Sequence, residues 1–135
     1  MSDLVLSPYC VYTILHSEKL HAAYEKAGKG VFKEETNWKS GFELLQESKE
    51  ENQILPIIFA AAESTSKLLY WGRLVDIKIE QPSEKNFKTT YKFEALKRIG
   101  KGHVKTDLIL RFSGKNISEG YIRPYSICRT PDFLK

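Results

Sequence analysis

The sequence has few of the residues from which disulfide frameworks and metal sites are built. It contains two cysteines, Cys10 and Cys128, and three histidines in 135 residues. Neither cysteine belongs to a cluster with the ligand spacing of a zinc site. His16 and His21 are five positions apart, off the i, i+4 spacing that puts two ligands on one helix face. We therefore expect no metal and no cofactor, and the cysteine usage favours a reducing, cytoplasmic location.

Long apolar runs are also absent. The longest, Ile54 to Ala62, has nine residues and contains Pro56, whereas a transmembrane helix needs about 20. No basic segment followed by an apolar one opens the chain, so we predict no secretory signal and no membrane partner. With 41% hydrophobic and 12% aromatic residues, the chain can bury a core. Its length and the lack of a linker-like stretch predict a single domain over residues 1–135.

Charge is distributed unevenly. Residues 1–66 hold six basic and ten acidic side chains, and residues 67–135 fifteen and seven, which gives formal net charges of −4 and +8. Such a basic second half is typical of a surface that meets a polyanion, and a solvated lysine-rich face is the alternative. The densest group of cations comprises Lys97, Arg98, Lys101, Lys105, Arg111 and Lys115.

Two helices are predicted in the N-terminal half, over Ser17 to Ala27 and over Trp38 to about Glu51. The second should bury three side chains on a single face, namely Trp38, Phe42 and Leu45. Cys10 to Leu15 is β-branched and aromatic, as in a strand, but the Ser7-Pro8 sequence before it could also begin a helix.

The remainder is typical of β-structure. Ile54 to Ala61 is a short apolar run, as in a strand buried on both faces. Leu68 to Glu80 ends in alternating apolar and charged residues, which predicts a half-buried strand. Thr89 to Phe93 and Asp107 to Phe112 add two more strands, and Ala95 to Ile99 either continues a strand or forms a helical turn. The fold class is therefore α+β, with two or three early helices and a small, mostly antiparallel β-barrel, since closure hides strand edges.

The strand around Trp71 is the first candidate ligand site. If its alternation is continuous back from Ile77, Trp71 and Arg73 share the inner face and place an indole and a guanidinium at the mouth of a pocket. A bulge at Gly72 would exchange the faces and bury Tyr70 instead. A core tryptophan with Arg73 in an outer salt bridge is the structural alternative.

The segment Tyr121 to Pro131 is the second candidate. It contains two arginines, two tyrosines and two prolines, which a central strand does not accommodate. The prolines favour a stiff extended backbone. Along it, Arg123 and Arg129 could hold phosphates while Tyr125 offers a flat surface to a base. A strap whose aromatic side chains cover the core is the alternative.

Signals of catalysis are weak. The Gly-Lys-Gly sequences at 28–30 and 100–102 do not fit GxxxxGK(S/T), although the second could form a basic loop that touches phosphates. Glu63, Asp76 and His103 are the only candidate general bases. We expect binding rather than catalysis.

The order of elements from Leu55 to Ile79 resembles the core of the PUA-like superfamily, which includes the PUA, ASCH and EVE domains. An apolar strand (LPIIFAAAES) is followed by TSK and by LLYWGRLVDIKI, which has the pattern aromatic-Gly-x-apolar-apolar-x-apolar. The residues that carry the pattern are Tyr70, Trp71, Gly72, Leu74, Val75 and Ile77. The match covers about 25 of the 135 residues. It implies a small pseudo-barrel that binds RNA or DNA, in EVE-like members through an aromatic-lined pocket for modified bases. It also implies that Ser64, in the turn before the strand, belongs to the pocket.

These features predict a nucleic-acid-binding module in which Trp71 stacks on a base, including a modified or flipped one. The partner is DNA or RNA. The predicted binding residues are Ser64, Trp71, Arg73, Lys97, Arg98, Lys101, Lys105, Arg123, Tyr125 and Arg129. Two other classes of function stay open, an enzyme for a small anionic or nucleotide-derived substrate in the same pocket and a protein-interaction domain.

Overall fold

The computed structural model describes residues 5–62, 64–121 and 125–134, and of residues 64–66 the backbone alone. In chain order the elements are β1 (Val5–Leu6), β2 (Tyr9–Leu15), α1 (Ser17–Glu25), β3 (Gly30–Glu34), α2 (Lys39–Glu50), β4 (Gln53–Ala61), β5 (Ser64–Ser83), β6 (Asn86–Arg98) and β7 (Tyr125–Arg129). Short 3-10 helices lie at Lys105–Asp107 and Asp132–Leu134. The helices therefore lie in the N-terminal half, as predicted, and the segment that left strand and helix open is strand β2.

The strands form one sheet in the order β3-β6-β5-β4-β2-β7, with β1 beside β4. β1 and β2 run parallel to β4, and the other neighbouring pairs are antiparallel. The predicted α+β fold with a mostly antiparallel sheet is confirmed. The predicted barrel is wrong in one respect, because the two end strands, β3 and β7, do not pair with each other in the described residues.

The outer edge of β7 explains why the sheet stays open. Its backbone pairs with the segment at 109–111 instead of with β3: Arg111 N–H donates to the Ile127 carbonyl at 3.0 Å and Arg129 N–H to the Ile109 carbonyl at 2.8 Å. The backbone groups that barrel closure would need at these positions are therefore already paired.

That pairing segment is not the strand predicted over Asp107 to Phe112. Lys105–Asp107 is a 3-10 turn, and Ile109 and Leu110 form only single bridges. The chain reverses at Gly114, which has a φ of +70° and whose N–H donates to the Leu110 carbonyl at 2.9 Å. The turn comes too early for a full strand to form.

Gly28 allows the end of α1 to lie close to the sheet. α1 buries Leu20 and Ala23, and after it Gly28 adopts a φ of +73° and donates its N–H to the Ala23 carbonyl at 3.0 Å. A Cβ at Gly28 would lie 2.7 Å from the backbone nitrogen of Leu96 on β6. Only glycine fits between the helix end and this strand.

The buried face of α2 differs from the predicted one. Its buried residues are Gly41, Leu44, Leu45 and Ser48. Trp38, which precedes the helix, is fully buried as expected, but Phe42 is 38% exposed. The prediction for Phe42 is wrong because the helix packs through Gly41, one position earlier, where the chain comes close to Tyr125.

Both faces of the sheet carry a core. On the helix face, against which α1 and α2 pack, a large cluster includes Trp38, Phe59, Tyr91 and Phe93. On the opposite face a smaller cluster lies beneath the segments that follow β6 and β7; it contains Cys10, Tyr12, Ile58, Ala60, Leu68, Leu108, Ile117, Cys128 and Leu134. β4 is buried from Leu55 to Ala61, as predicted for a strand covered on both sides.

Candidate functional site

Two irregularities, one in β5 and one in β6, decide which way Trp71 and Lys97 point. Leu74 and Asp76 oppose Phe93 and Lys92, which are adjacent, so Val75 is an extra residue in β5. Trp71 and Arg73 oppose Lys97 and Glu94, so β6 carries an extra residue there, and Ala95 has a φ of +55°.

The faces are exchanged as a result. Tyr70 and Leu74 are buried in the helix-face core, while Trp71 packs against the core of the opposite face. The prediction that Trp71 shares the face of Ile77 is wrong, and the alternative with Tyr70 inside is confirmed. The extra residue is Val75 and not Gly72. Gly72 is buried, and a Cβ at its position would lie 3.0 Å from the carbonyl oxygen of Glu94.

Trp71, Arg73 and Lys97 form a surface that we call the Trp71 patch. Trp71 is partly buried, so its ring is held by the core and still reaches solvent. The Lys97 Nζ lies 5.5 Å from the centre of the indole ring, in cation–π contact. The Arg73 Nε is 3.9 Å from a carboxylate oxygen of Glu94, with both side chains about 40% exposed. The patch thus presents an aromatic ring between two cations, one of them partly offset by Glu94.

The other predicted cations do not join this patch. Arg98 points to the helix face, where its guanidinium carbon lies 4.9 Å from the Tyr24 ring centre. Tyr24 in turn contacts Tyr70, whose hydroxyl is 2.5 Å from the Nδ1 of His21. Lys101 is exposed in a loop whose flanking glycines have open space around them.

Lys105 is the clearest departure from the charge-based prediction. It is only 3% exposed, and its Nζ donates to the Tyr121 carbonyl at 3.4 Å. Lys105 is therefore not an exposed cation, as the charge-based prediction assumed. Ser64 begins strand β5 opposite Ala61 and does not lie in a turn. Arg123 and Glu63 lie outside the described residues.

Tyr125 and Arg129 lie on β7, at the far end of the sheet from Trp71. The Tyr125 hydroxyl accepts a hydrogen bond from Gly41 N–H at 2.6 Å, and its ring stacks on Trp38 with centroids 4.6 Å apart. Burial raises the pKa of Tyr125 to about 12. Arg129 is exposed. The structure therefore divides the predicted binding residues between the β5–β6 pair and β7, which are separated by β4 and β2 in the order of the sheet.

A groove opens beside Tyr125, between α2 and the C-terminal part of the chain. Its volume is about 940 Å³. We call it the α2 groove; it is lined by Thr36, Asn37, Ser40, Glu43, Leu44, Glu47, Leu110, Arg111, Phe112, Tyr121, Tyr125, Ser126 and Ile127. Of these, Tyr125 alone is a predicted binding residue. The spacing of Ser40, Glu43 and Glu47 puts them on one face of a helix, and Phe112 precedes a Ser-Gly turn. No local pattern indicates that this helix and the segment around Phe112 face each other.

Buried polar groups lie beneath the groove. Trp38 stacks between Tyr125 and Tyr91, the latter at 4.5 Å. The Trp38 Nε1 and the Tyr91 hydroxyl are buried without a hydrogen-bond partner among the described residues. Burial raises the pKa of the nearby Glu34. The Thr13 hydroxyl and the Trp38 indole N–H both lower this pKa, but by less than burial raises it. The geometry between Trp38 and Glu34 falls short of a hydrogen bond.

Two of the candidate general bases, Asp76 and His103, lie in the described residues, and their surroundings differ. Asp76 is exposed opposite Lys92, and His103 stacks on Phe133 at 3.9 Å. Within the described parts of the chain, no three His, Cys, Asp or Glu side chains come together as metal ligands. No helix in those parts is long and apolar enough to cross a membrane.

Comparisons with protein-family models, with curated proteins and with solved structures give no match. The PUA-like resemblance of Leu55 to Ile79 therefore stays a prediction.

Proposed function

We propose that this protein binds nucleic acid through the Trp71 patch, with a base stacked on the indole and phosphates held by Lys97 and Arg73. The observation that carries the proposal is the cross-strand pairing of Trp71 with Lys97, which sets a cation 5.5 Å from the ring centre. An aromatic platform beside cations is the arrangement that proteins use to bind single-stranded nucleic acid.

An unpaired base is the ligand that suits this patch. Only a base outside the double-helical stack offers its flat face to a side chain, whether it belongs to a single strand or is flipped from a duplex. The core beneath Trp71 fixes the ring, so little side-chain freedom is lost on binding. Lys101, in its exposed loop, adds long-range attraction but no base contact.

The PUA-like resemblance supports the same proposal. Trp71 and Arg73 lie on the strand that carries the shared pattern, and such domains bind RNA or DNA. We therefore also propose that the chain belongs to this superfamily. Its sheet would then be a pseudo-barrel that stays open between β3 and β7.

Fluorescence anisotropy with labelled oligonucleotides tests the proposal. We expect single-stranded DNA or RNA, or a duplex with one unpaired base, to bind more tightly than a fully paired duplex. Because phosphate contacts release counterions, binding should weaken as salt is raised from 50 to 200 mM. Replacing Lys97 with Gln should lower the slope of log K against log salt by about 1.

Lys88→Gln is the matched control. Lys88 is exposed on the same strand, β6, but pairs with Glu80 near the hairpin end, away from Trp71. Its replacement should leave the affinity close to that of the unchanged protein. Equal effects of the two substitutions, or no binding at low salt, would overturn the proposal.

A further inference from the structure

The α2 groove has one wall of carboxylates. Glu43 and Glu47 lie one turn apart on α2, both exposed, on the stripe of the helix that also carries Ser40. Neither glutamate forms an ion pair in the parts of the chain that are described. The wall therefore offers two negative charges to whatever enters the groove.

The facing wall is aromatic. Tyr125 is fixed by the Gly41 N–H and Tyr121 by a hydrogen bond between its hydroxyl and that of Ser126. Phe112, at the rim, is 92% exposed. Its ring extends the apolar surface of this wall to the edge of the groove.

Arg111 does not neutralise the carboxylate wall. Its guanidinium carbon lies 4.7 Å from the ring centre of Tyr9, in cation–π contact on the β7 side of the groove. The groove therefore keeps its negative charges on the α2 side and its rings on the other. This pairing of carboxylates with aromatic faces is what recognises an ammonium or guanidinium group.

We propose that the α2 groove binds an extended, lysine- or arginine-bearing segment of a partner protein. Carboxylates would hold the cation, and Phe112 would cover an apolar side chain beside it. The stripe from Ser40 to Glu47 is about 10 Å long at the helical rise, which matches about three residues of extended chain. Phosphates are disfavoured here because Glu43 and Glu47 repel them, so this site is independent of the Trp71 patch.

Three fluorescein-labelled hexapeptides test the proposal, with the sequence Gly-Lys-Phe-Lys-Leu-Gly and with both lysines replaced by norleucine or by glutamate. The lysine peptide should bind more tightly than the norleucine peptide, and the glutamate peptide least. The double substitution Glu43→Gln with Glu47→Gln should weaken binding of the lysine peptide about three- to tenfold, as expected for exposed charge pairs. Phe112→Ser should weaken binding of both the lysine and the norleucine peptides.

Glu50→Gln is the matched control, because Glu50 is an exposed residue of α2 that does not line the groove. It should leave binding of the lysine peptide unchanged, and so should Lys88→Gln, since Lys88 does not line the groove either. Three results would each overturn the proposal: equal affinities for the three peptides, equal effects of the Glu50 and the double substitution, or displacement of the peptide by an unlabelled oligothymidylate. Failure of the lysine peptide to bind at millimolar concentration would also overturn it.

Discussion

The Thr13 hydroxyl on β2 donates a hydrogen bond to the Glu34 carboxylate on β3, with an oxygen–oxygen distance of 3.1 Å. Three strands lie between β2 and β3 in the order of the sheet. Neighbouring strands are about 4.8 Å apart, so a flat sheet could not bring these side chains into contact. The hydrogen bond shows that the sheet curls strongly, and that side chains rather than backbone pairing join these two strands.

Removing this hydrogen bond should destabilise the fold. Thr13 is fully buried and Glu34 partly buried, so Thr13→Val leaves a partly buried carboxyl group with one partner fewer. We expect a loss of about 1–3 kcal/mol in the free energy of unfolding, measured by urea denaturation. Thr90→Val, on the surface-facing side of β6, is the control and should change it by less than about 0.5 kcal/mol. Equal losses would show that the contact does not hold the curvature.

The raised pKa of Glu34 predicts a pH-dependent contribution to stability. Burial raises this pKa, so the native state binds the proton more tightly than the unfolded chain does. The resulting stabilisation is present below the ordinary glutamate pKa of about 4.3 and is lost as the pH rises through the raised value. Glu34→Gln removes this dependence and keeps a carbonyl acceptor for Thr13.

The free energy of unfolding of Glu34→Gln, relative to the unchanged protein, should therefore rise as the pH increases above the ordinary glutamate pKa of about 4.3. Urea denaturation at several pH values measures it. Glu35→Gln is the matched control, since Glu35 is the exposed neighbour, and its difference should stay flat. A flat difference for Glu34→Gln as well would contradict the prediction.

Local patterns predict much of this fold because they act over short stretches. α1, α2 and β4 follow from helical spacing and from one unbroken apolar run. β3 (Gly30–Glu34) escaped prediction because it has only five residues and its last two, Lys33 and Glu34, are both charged. The curvature joining Thr13 to Glu34 depends on contacts between distant parts of the chain, which no local pattern contains.

The candidate site was harder to predict than the fold because side-chain directions depend on irregularities in the strands. The faces that Trp71 and Lys97 occupy depend on the extra residues Val75 in β5 and Ala95 in β6, and an alanine with a positive φ leaves no sequence signal. The density of basic residues along the sequence does not show which way their side chains point. Lys97 and Arg98 are adjacent in a strand and must point to opposite faces, and Lys105 is buried.

The two cysteines predict slow thiol chemistry in the native protein. Cys10 and Cys128 are directly opposite each other on β2 and β7, and both are fully buried. Burial raises the pKa of both thiols, that of Cys128 to about 12. Since the thiolate is the reactive form, Ellman's reagent should react with neither thiol on mixing and with both in urea. Fast reaction of the native protein would contradict this, and Cys10→Ser and Cys128→Ser would then identify the reactive thiol.

Substitutions at Trp71 separate a binding role from a purely structural one. Trp71→Ala should weaken binding of a single-stranded oligonucleotide by about 1–3 kcal/mol if a base stacks on the indole. Trp71→Phe keeps a flat ring and should retain most of the affinity.

The stability of the same variants completes the test. A partly buried tryptophan loses less on truncation than the roughly 3–5 kcal/mol of a fully buried one, so Trp71→Ala should stay folded, as circular dichroism and urea denaturation would show. If it instead loses that full amount while the folded fraction binds the oligonucleotide with unchanged affinity, Trp71 serves the core of the opposite face alone. The patch would then keep only Lys97 and Arg73, two cations without a stacking surface, which cannot favour an unpaired base over a duplex.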